Sequence, residues 1–212
     1  MTSGIEQSAL LDRLTSAAGR DVSRETFEKL ERYVALLKEE NGRQNLVSAA
    51  TLDHAWDRHI LDSAQLVRYE PHHRASWIDI GSGAGLPGIV IAMLVEGPVT
   101  LVEPRRLRAE FLHKLCESLE LDAKVAACKA ERVEGKFDAI TARAVAGLPQ
   151  LLKISAHLST RKTVWALPKG RSAQAELAEA ARNWHFDARE EPSCTDPQST
   201  ILVLTGVGAK KR

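Results

Sequence analysis

The stretch Trp77-Ile78-Asp79-Ile80-Gly81-Ser82-Gly83-Ala84-Gly85-Leu86-Pro87-Gly88 has the residue types and the spacing of a ligand-binding turn. A short apolar run ends near an acidic residue, Asp79, and glycines follow at alternate positions, Gly81, Gly83 and Gly85. Without side chains the backbone can turn sharply and let a ligand approach closely. A helix beginning just after the glycines offers free N–H groups and the positive end of its dipole. Pro87 suits the first turn of that helix, where its missing donor costs nothing.

Two ligands compete for such a turn. Gly83-x-Gly85-x-x-Gly88 matches literally the dinucleotide pattern, in which a pyrophosphate sits on the helix end. Counted from Gly81, the first glycine after the strand, the third position is Leu86 instead. Gly81-x-Gly83-x-Gly85 after an acidic strand end is the arrangement of S-adenosylmethionine sites, where the acid, here Asp79, helps to hold the methionine end. A second apolar run closes in Leu101-Val102-Glu103-Pro104. Glu103 lies about 20 residues past the loop, where a carboxylate accepts hydrogen bonds from ribose hydroxyls.

Lys129-Ala130-Glu131 follows the third apolar run, and a backbone N–H at Ala130 or Glu131 is placed to read an adenine edge. After the fourth run stands Thr141-Ala142-Arg143-Ala144-Val145-Ala146. Many amino-group methyltransferases carry Asn or Asp followed by Pro-Pro-Tyr/Phe here. This chain has Arg143, and an arginine at the carboxyl end of a strand is poorly explained as core. His59 and Asp62, three apart, share one helix face. Neither a Ser-His-Asp arrangement nor metal-ligand spacing is present, so no metal is expected.

The elements that must position these residues follow from periodicity. Leu10, Leu11, Leu14, Ala17 and Ala18 lie on one helical face, and Phe27, Leu30, Val34 and Leu37 on another. Ser23 is the expected N-cap of the second helix and Asn41-Gly42 its stop. The spacing predicts an N-terminal helical cap over residues 1–68 and a Rossmann-like domain over 69–212, together one globular unit. In the second part, strands at Trp77–Ile80, Val99–Glu103, Lys124–Cys128, Ala139–Ala142, Thr163–Leu167 and Ile201–Thr205 alternate with helices near Gly88–Val95, Arg105–Leu119, Pro149–His157 and Ser172–Ala181. That alternation predicts a doubly wound α/β sheet. Glu190–Gln198, with Pro192 and Pro197, reads as the loop of a terminal hairpin whose first strand is near Phe186–Arg189.

Composition narrows the class. A chain of 212 residues with 44% apolar and 27% charged residues suits an ordinary soluble domain. The cysteines, Cys116, Cys128 and Cys194, are odd in number and far apart, which argues against a disulfide framework and for a reducing, cytoplasmic setting. Met1 to Gln7 has no basic start followed by an apolar run, so no secretory leader is expected, and Ile89 to Val95 is too short to span a membrane. Net charge is +1, so a nucleic-acid partner has to be read from clusters: Arg105, Arg106 and Arg108; Lys169 and Arg171; Lys210-Lys211-Arg212.

Taken in order, Arg58-His-Ile-Leu-Asp-Ser63, Gly81-Ser-Gly-Ala-Gly-Leu-Pro-Gly-Ile89, Thr141-Ala-Arg-Ala144 and Pro168-Lys-Gly170 resemble the ribosomal small-subunit methyltransferase G family, also called glucose-inhibited division protein B. The resemblance runs from about Leu36 to Leu204. It implies a bacterial enzyme of the class I S-adenosylmethionine-dependent methyltransferase fold with an N-terminal helical extension. The implied reaction is methylation of N7 of a guanine in 16S rRNA of the small ribosomal subunit. The implied cofactor contacts are Gly81, Leu86, Ala130, Glu131 and Arg143. Glu103 matches the ribose position. Arg58, His59, Asp62 and Lys169 match positions that face RNA or brace the site. Many members carry Trp-Asn-Lys-x-x-Asn-Leu where this chain has Glu40-Asn41-Gly42-Arg43-Gln44-Asn45-Leu46, and Arg43 is expected to supply the missing charge.

Guanine N7 has a free lone pair at neutral pH, so this chemistry needs placement and no strong base. Arg143 and Lys169 are then expected to serve a carboxylate, a phosphate or guanine O6, because a cation on N7 would oppose the charge that develops there. A small-molecule methyltransferase, a dinucleotide-dependent oxidoreductase and a non-catalytic nucleotide-binding module are the alternative readings. A monomer without membrane or metal partners is the expected working unit.

Overall fold

The computed structural model describes residues 4–210. Residues 1–3, and with them the start of the expected cap and of the stretch read for a secretory leader, lie outside the described residues. So do Lys211 and Arg212 of the basic tail.

Two helices come first, α1 (Gly4–Ala18) and α2 (Arg24–Gln44). Ser23 caps α2, its side chain accepting from the Thr26 amide at 3.1 Å. The helix does not stop at Asn41-Gly42. It runs one turn further and ends at Asn45, which takes a left-handed conformation (φ 48°) and donates to the Asn41 carbonyl. Asn41 is buried, and its side chain is spent on the amide of Val47 at 2.8 Å. An asparagine that turns inward pins the loop beyond the helix and leaves the helix itself intact.

A short α3 (Ala49–Leu52) leads into Trp56–Leu61, wound as a π-helix, then α4 (Asp62–Ala64) and a 3₁₀ turn, Gln65–Tyr69. The sheet elements follow: β1 (Trp77–Ile80), α5 (Gly88–Leu94), β2 (Val99–Val102), α6 (Arg106–Ser118), β3 (Ala123–Ala126), β4 (Ala139–Thr141), α7 (Leu148–Ser155), β5 (Val164–Lys169), α8 (Ala173–Ala180), β6 (Trp184–Pro192) and β7 (Thr200–Ala209). The last two strands are longer than their sequence signal. Pro192 ends β6, so the hairpin loop is only 193–199. Pairing with β7 carries β6 on past the residues that look extended by themselves.

The sheet order is β3-β2-β1-β4-β5-β7-β6. The first five strands are parallel, and β7 lies antiparallel between β5 and β6. Chain direction across the sheet reverses between β1 and β4. In such sheets ligands bind outside the carboxyl ends of the strands at that reversal. One apolar layer contains Leu14, Leu30, Tyr33 and Leu37 of the N-terminal helices together with Trp77, Ile89, Leu101 and Leu112. The other joins Ile78, Ile140, Trp165 and Leu202 to α7 and α8. The N-terminal helices are thus part of one face of the sheet core, so the 68/69 boundary crosses continuous packing.

Candidate active site

The glycine loop holds a shape that only glycine takes cheaply. Gly81, Gly83 and Gly85 have φ of 71°, 54° and 96°. At Gly81 a Cβ would come within 2.6 Å of Val145 Cγ2. At Gly88 it would come within 2.6 Å of Asp79 Oδ2, so α5 starts in contact with the end of β1. The Leu86–Pro87 peptide is cis, and Pro87 sits just before the helix, not in its first turn.

Asp79 is 1% exposed. Its Oδ2 accepts from the Gly88 amide at 3.1 Å, while Oδ1 has no hydrogen-bond partner. Burial pushes the carboxyl up to about 6, against hydrogen bonding and the Arg143 charge, which pull it down. A buried, half-satisfied carboxylate beside a glycine loop suits a ligand that brings a positive group. It also occupies the start of α5 with negative charge, which disfavours a pyrophosphate there.

Glu103, just past β2, is buried and faces the same loop. Oε2 accepts from the Gly83 amide at 3.0 Å and Oε1 from the Arg105 amide at 2.8 Å. Those bonds fix the carboxylate and leave lone pairs for further donors. Beyond β3, Ala130–Arg132 forms a 3₁₀ turn. The Ala130 and Glu131 amides, in its first positions, find no backbone acceptor among the described residues. Ala130 is buried and Glu131 exposed.

Arg143 leaves β4 and reaches back across the sheet to the segment before β1. Nη1 donates to the Arg58 carbonyl (3.2 Å) and to Asp62 Oδ2 (3.3 Å), and Nη2 to His59 Nδ1 (3.3 Å). Arginine has no acceptor, so His59 Nδ1 must accept and the proton lies on Nε2, which bonds Thr51 Oγ1 at 3.2 Å. Burial, and then the charge of Arg143, lower the His59 pKa to about 4. His59 is therefore neutral at physiological pH and serves as a spacer and acceptor for Arg143. The opposite oxygen of Asp62, Oδ1, accepts from Gln65 Nε2 and Thr195 Oγ1, each at 3.0 Å. Arg58 pairs with Asp196 at 3.0 Å. The terminal hairpin loop is thereby docked on the helical segment before β1.

Lys169, at the end of β5, does not reach outward as a free cation. Its Nζ donates to Glu176 Oε2 at 2.8 Å and to the Ala146 carbonyl at 3.3 Å, and its side chain is 11% exposed. Burial pushes the Glu176 carboxyl up. Hydrogen bonds from Lys169, Ser172 and the Leu148 amide outweigh it and hold the group below its usual range. Of the carboxylate, phosphate or guanine O6 expected for Lys169, the chain itself supplies a carboxylate, Glu176, and the pair sits against the loop after β4. Arg43 stays on the last turn of α2, exposed and paired with Glu39 and Glu40, and does not line the cleft below. Its own helix supplies the acids that hold it.

Two adjoining clefts result. The first, of ≈ 440 Å³, is lined by Gly81, Gly83, Leu86, His59, Asp62 and Arg143 among others. The second, of ≈ 470 Å³, contains Lys169 and again Asp62 and Arg143. Asp79, Glu103, Ala130 and Glu131 line neither. Among the described residues no group of three His, Cys, Asp or Glu side chains is placed to hold a metal ion, and no helix is long and apolar enough to cross a membrane.

Two contributors carry no local sequence signal of their role. Arg108 lies over the glycine loop, its Nη1 3.7 Å from where a Gly83 Cβ would stand, beside Glu103 Oε2. Tyr33 of α2 is fully buried and donates from its hydroxyl to the Ala84 carbonyl at 3.0 Å. Burial pushes its phenol well above the usual range. Tyr33→Phe leaves that carbonyl buried and unpaired, at a cost of about 1–3 kcal/mol. Thermal unfolding should show the loss, and calorimetry should show S-adenosylmethionine binding weakened several-fold. Unchanged affinity would remove Tyr33 from the bracing of the loop.

Comparison with known proteins gives a consistent picture. Residues 26–201 match the family described as rRNA small subunit methyltransferase G. A ribosomal RNA small subunit methyltransferase G of Zymomonas mobilis is 46% identical over 200 residues, covering 90% of each chain. One from Novosphingobium aromaticivorans is 48% identical over 183 residues, covering 84% of this chain and 80% of the relative. Among solved structures, the O-methyltransferase of Bacillus cereus in complex with SAH superposes with a TM-score of 0.57 at 15% identity, over 82% of this chain and 90% of that one. A tRNA methyltransferase of B. subtilis, TrmK, gives 0.55 at 18% identity, over 69% and 65%. At these identities the structural matches speak for the fold alone, an α/β Rossmann-like methyltransferase.

Proposed function

Because the chain belongs to the rRNA small subunit methyltransferase G family, we propose that it transfers a methyl group from S-adenosylmethionine to N7 of a guanine in 16S rRNA. The observation that carries this reading is the unpaired Asp79 Oδ1, buried at the end of β1, where its other oxygen holds the Gly88 amide while Glu103 holds the amide of Gly83 in the same loop. One carboxylate is left for the amino-acid end of the cofactor and one for its ribose. The Ala130 and Glu131 amides are offered to the adenine, and Gly81, Gly83 and Leu86 to the body of the ligand.

S-adenosylmethionine, when bound, supplies a methyl group on a sulfonium: the N7 lone pair forms the new C–N bond as the S–C bond breaks, and the positive charge passes to the guanine. The residues of the chain provide placement. Asp62 and neutral His59 hold Arg143 on the wall of the cleft, where it orients substrate without presenting an unpaired charge to N7. Lys169 is charge-compensated by Glu176 and fixes the loop after β4. The working unit of this reading is a monomer. A ribosomal substrate is consistent with a cytoplasmic enzyme.

The direct test is incubation of purified protein with small subunits lacking the modification and with labelled cofactor, followed by mapping of the methylated base. Label at N7 of one guanine supports the reading, and transfer to small molecules but not to subunits overturns it. Arg105 and Arg106, at the N-terminus of α6, and Arg171, beyond β5, are exposed and suited to flanking phosphates. Subunit binding should therefore weaken on the order of tenfold between about 50 and 200 mM salt. A flat response, measured by filter binding, would count against RNA as substrate.

A further inference from the structure

The guanidinium of Arg143 is held by long bonds, 3.2 Å to the Arg58 carbonyl and 3.3 Å each to Asp62 and His59. Bonds at the long end of the usual range fix a direction only when their acceptors cannot turn. What keeps His59 and Asp62 from turning comes from two segments far apart in the chain. Thr51 of α3 meets Nε2 of His59, and Thr195 of the hairpin loop meets Oδ1 of Asp62, each on the side away from Arg143. Both threonines line the first cleft together with Arg143, while Asp62 and Arg143 line both clefts and form the wall between them. Resting on the function proposed above, we infer that Thr51 and Thr195 are positioning residues for methyl transfer, two hydroxyls that fix the plane of Arg143 through His59 and Asp62.

The proton balance at Thr51 is closed. Its hydroxyl donates to the Ser48 carbonyl at 2.9 Å, so toward His59 it can only accept. It takes the Nε2 proton at 3.2 Å, and the imidazole turns its bare Nδ1 to Arg143. Without that hydroxyl the Nε2–H has no acceptor. The proton is then free to move to Nδ1, where it would confront another donor. Thr51 is itself anchored, because its amide donates at 3.3 Å to Ser48 Oγ, the N-cap of α3. On the other side, Thr195 Oγ1 and Gln65 Nε2 both donate to Asp62 Oδ1, each at 3.0 Å. With Oδ1 held by two donors, Oδ2 meets Arg143 in one orientation. The buried Gln65 also holds the hairpin loop, donating to Ser193 Oγ at 3.1 Å and accepting from the Cys194 amide at 2.9 Å. The loop therefore stays docked without the Thr195 hydroxyl, which is left to act on Asp62.

Valine keeps the shape of threonine and removes the hydroxyl. No residue of α3 is buried and Thr195 is half-buried, so neither change takes a side chain out of the core. Thr51→Val and Thr195→Val should each lower the single-turnover rate on unmodified small subunits about tenfold at saturating cofactor, a part of the 10²-fold that a misplacement of about 1 Å costs. Thr51→Ser and Thr195→Ser should restore most of the rate. In an Arg143→Ala background the same valines should cost nothing further, because they act through Arg143. A valine variant at the wild-type rate, or one whose loss persists undiminished without Arg143, overturns the inference. A second readout needs no turnover. Long-range proton–nitrogen correlation spectra, with His59 assigned through His59→Gln, should place the imidazole proton on Nε2 in the wild type and on both nitrogens in Thr51→Val. A wild-type proton on Nδ1 overturns the inference. The wild-type reaction on the same subunits tests the function separately, and the spectra decide the positioning whichever way that reaction comes out.

Discussion

Arg143→Ala should lower the single-turnover rate of methyl transfer to small subunits by on the order of 10²-fold or more, the cost expected when reacting groups are misplaced by about 1 Å. The side chain joins three elements at once. Removing it leaves Asp62 Oδ2 without its ion pair, His59 Nδ1 without a donor and the Arg58 carbonyl without its bond. Arg143 and Asp62 are 19% and 17% exposed, so the broken pair should also cost about 2 kcal/mol of stability, less than the 3–5 kcal/mol of a fully buried one. Arg143→Lys should restore little activity, because an ammonium is a point donor and cannot span both Asp62 and His59. Rapid-quench assays with saturating cofactor would show the rate effect, and thermal unfolding the stability effect. A fully active Arg143→Ala enzyme would remove this residue from substrate placement and take the wall between the two clefts with it.

The parts of the site that could be read from sequence are those built by short stretches of chain. Asp79 and the glycines sit within one strand–turn–helix, Glu103 at the next strand end, and Arg143 at the end of β4. Their types and spacing suffice because parallel strands bring their carboxyl ends to one edge. What escaped was made by distant packing. Tyr33 meets Ala84 across 51 residues, Arg143 meets His59 across 84, and Arg58 meets Asp196 across 138. No local pattern encodes such pairs. His59 and Asp62 were expected to share a helix face, and both do reach Arg143, but the turn that bears His59 is a π-helix. Such a bulge shifts the helical phase and often marks functional positions. Lys169 was expected to face a ligand or brace the site. Only the structure shows Glu176, one helix later, taking up its charge.

Asp79→Asn should separate what the pocket needs for binding from what the fold needs for stability. In the folded chain burial raises the Asp79 carboxyl from 3.8 to about 6. Between those values the native state binds more protons than the unfolded state, so this group lowers stability as pH rises through that window. Above about pH 6 the penalty is complete, about 3 kcal/mol from the size of the shift. His59 works in the opposite sense. Its folded pKa of about 4 lies below the unfolded 6.5, so its contribution is lost as pH falls through that range. The wild-type profile alone therefore mixes two opposed effects, and the difference between wild type and Asp79→Asn isolates one. An asparagine oxygen can still accept from the Gly88 amide, so the start of α5 is kept. The variant should melt several degrees higher than wild type at pH 8 without ligand, with the gain fading as pH approaches 4. Its affinity for S-adenosylmethionine at pH 8 should fall on the order of 10²-fold, because the charge that the cofactor's cationic end would neutralise is gone. Calorimetry and melting curves across this pH range measure both. Equal melting temperatures and equal affinities would mean that the buried carboxylate neither strains the empty pocket nor holds the ligand.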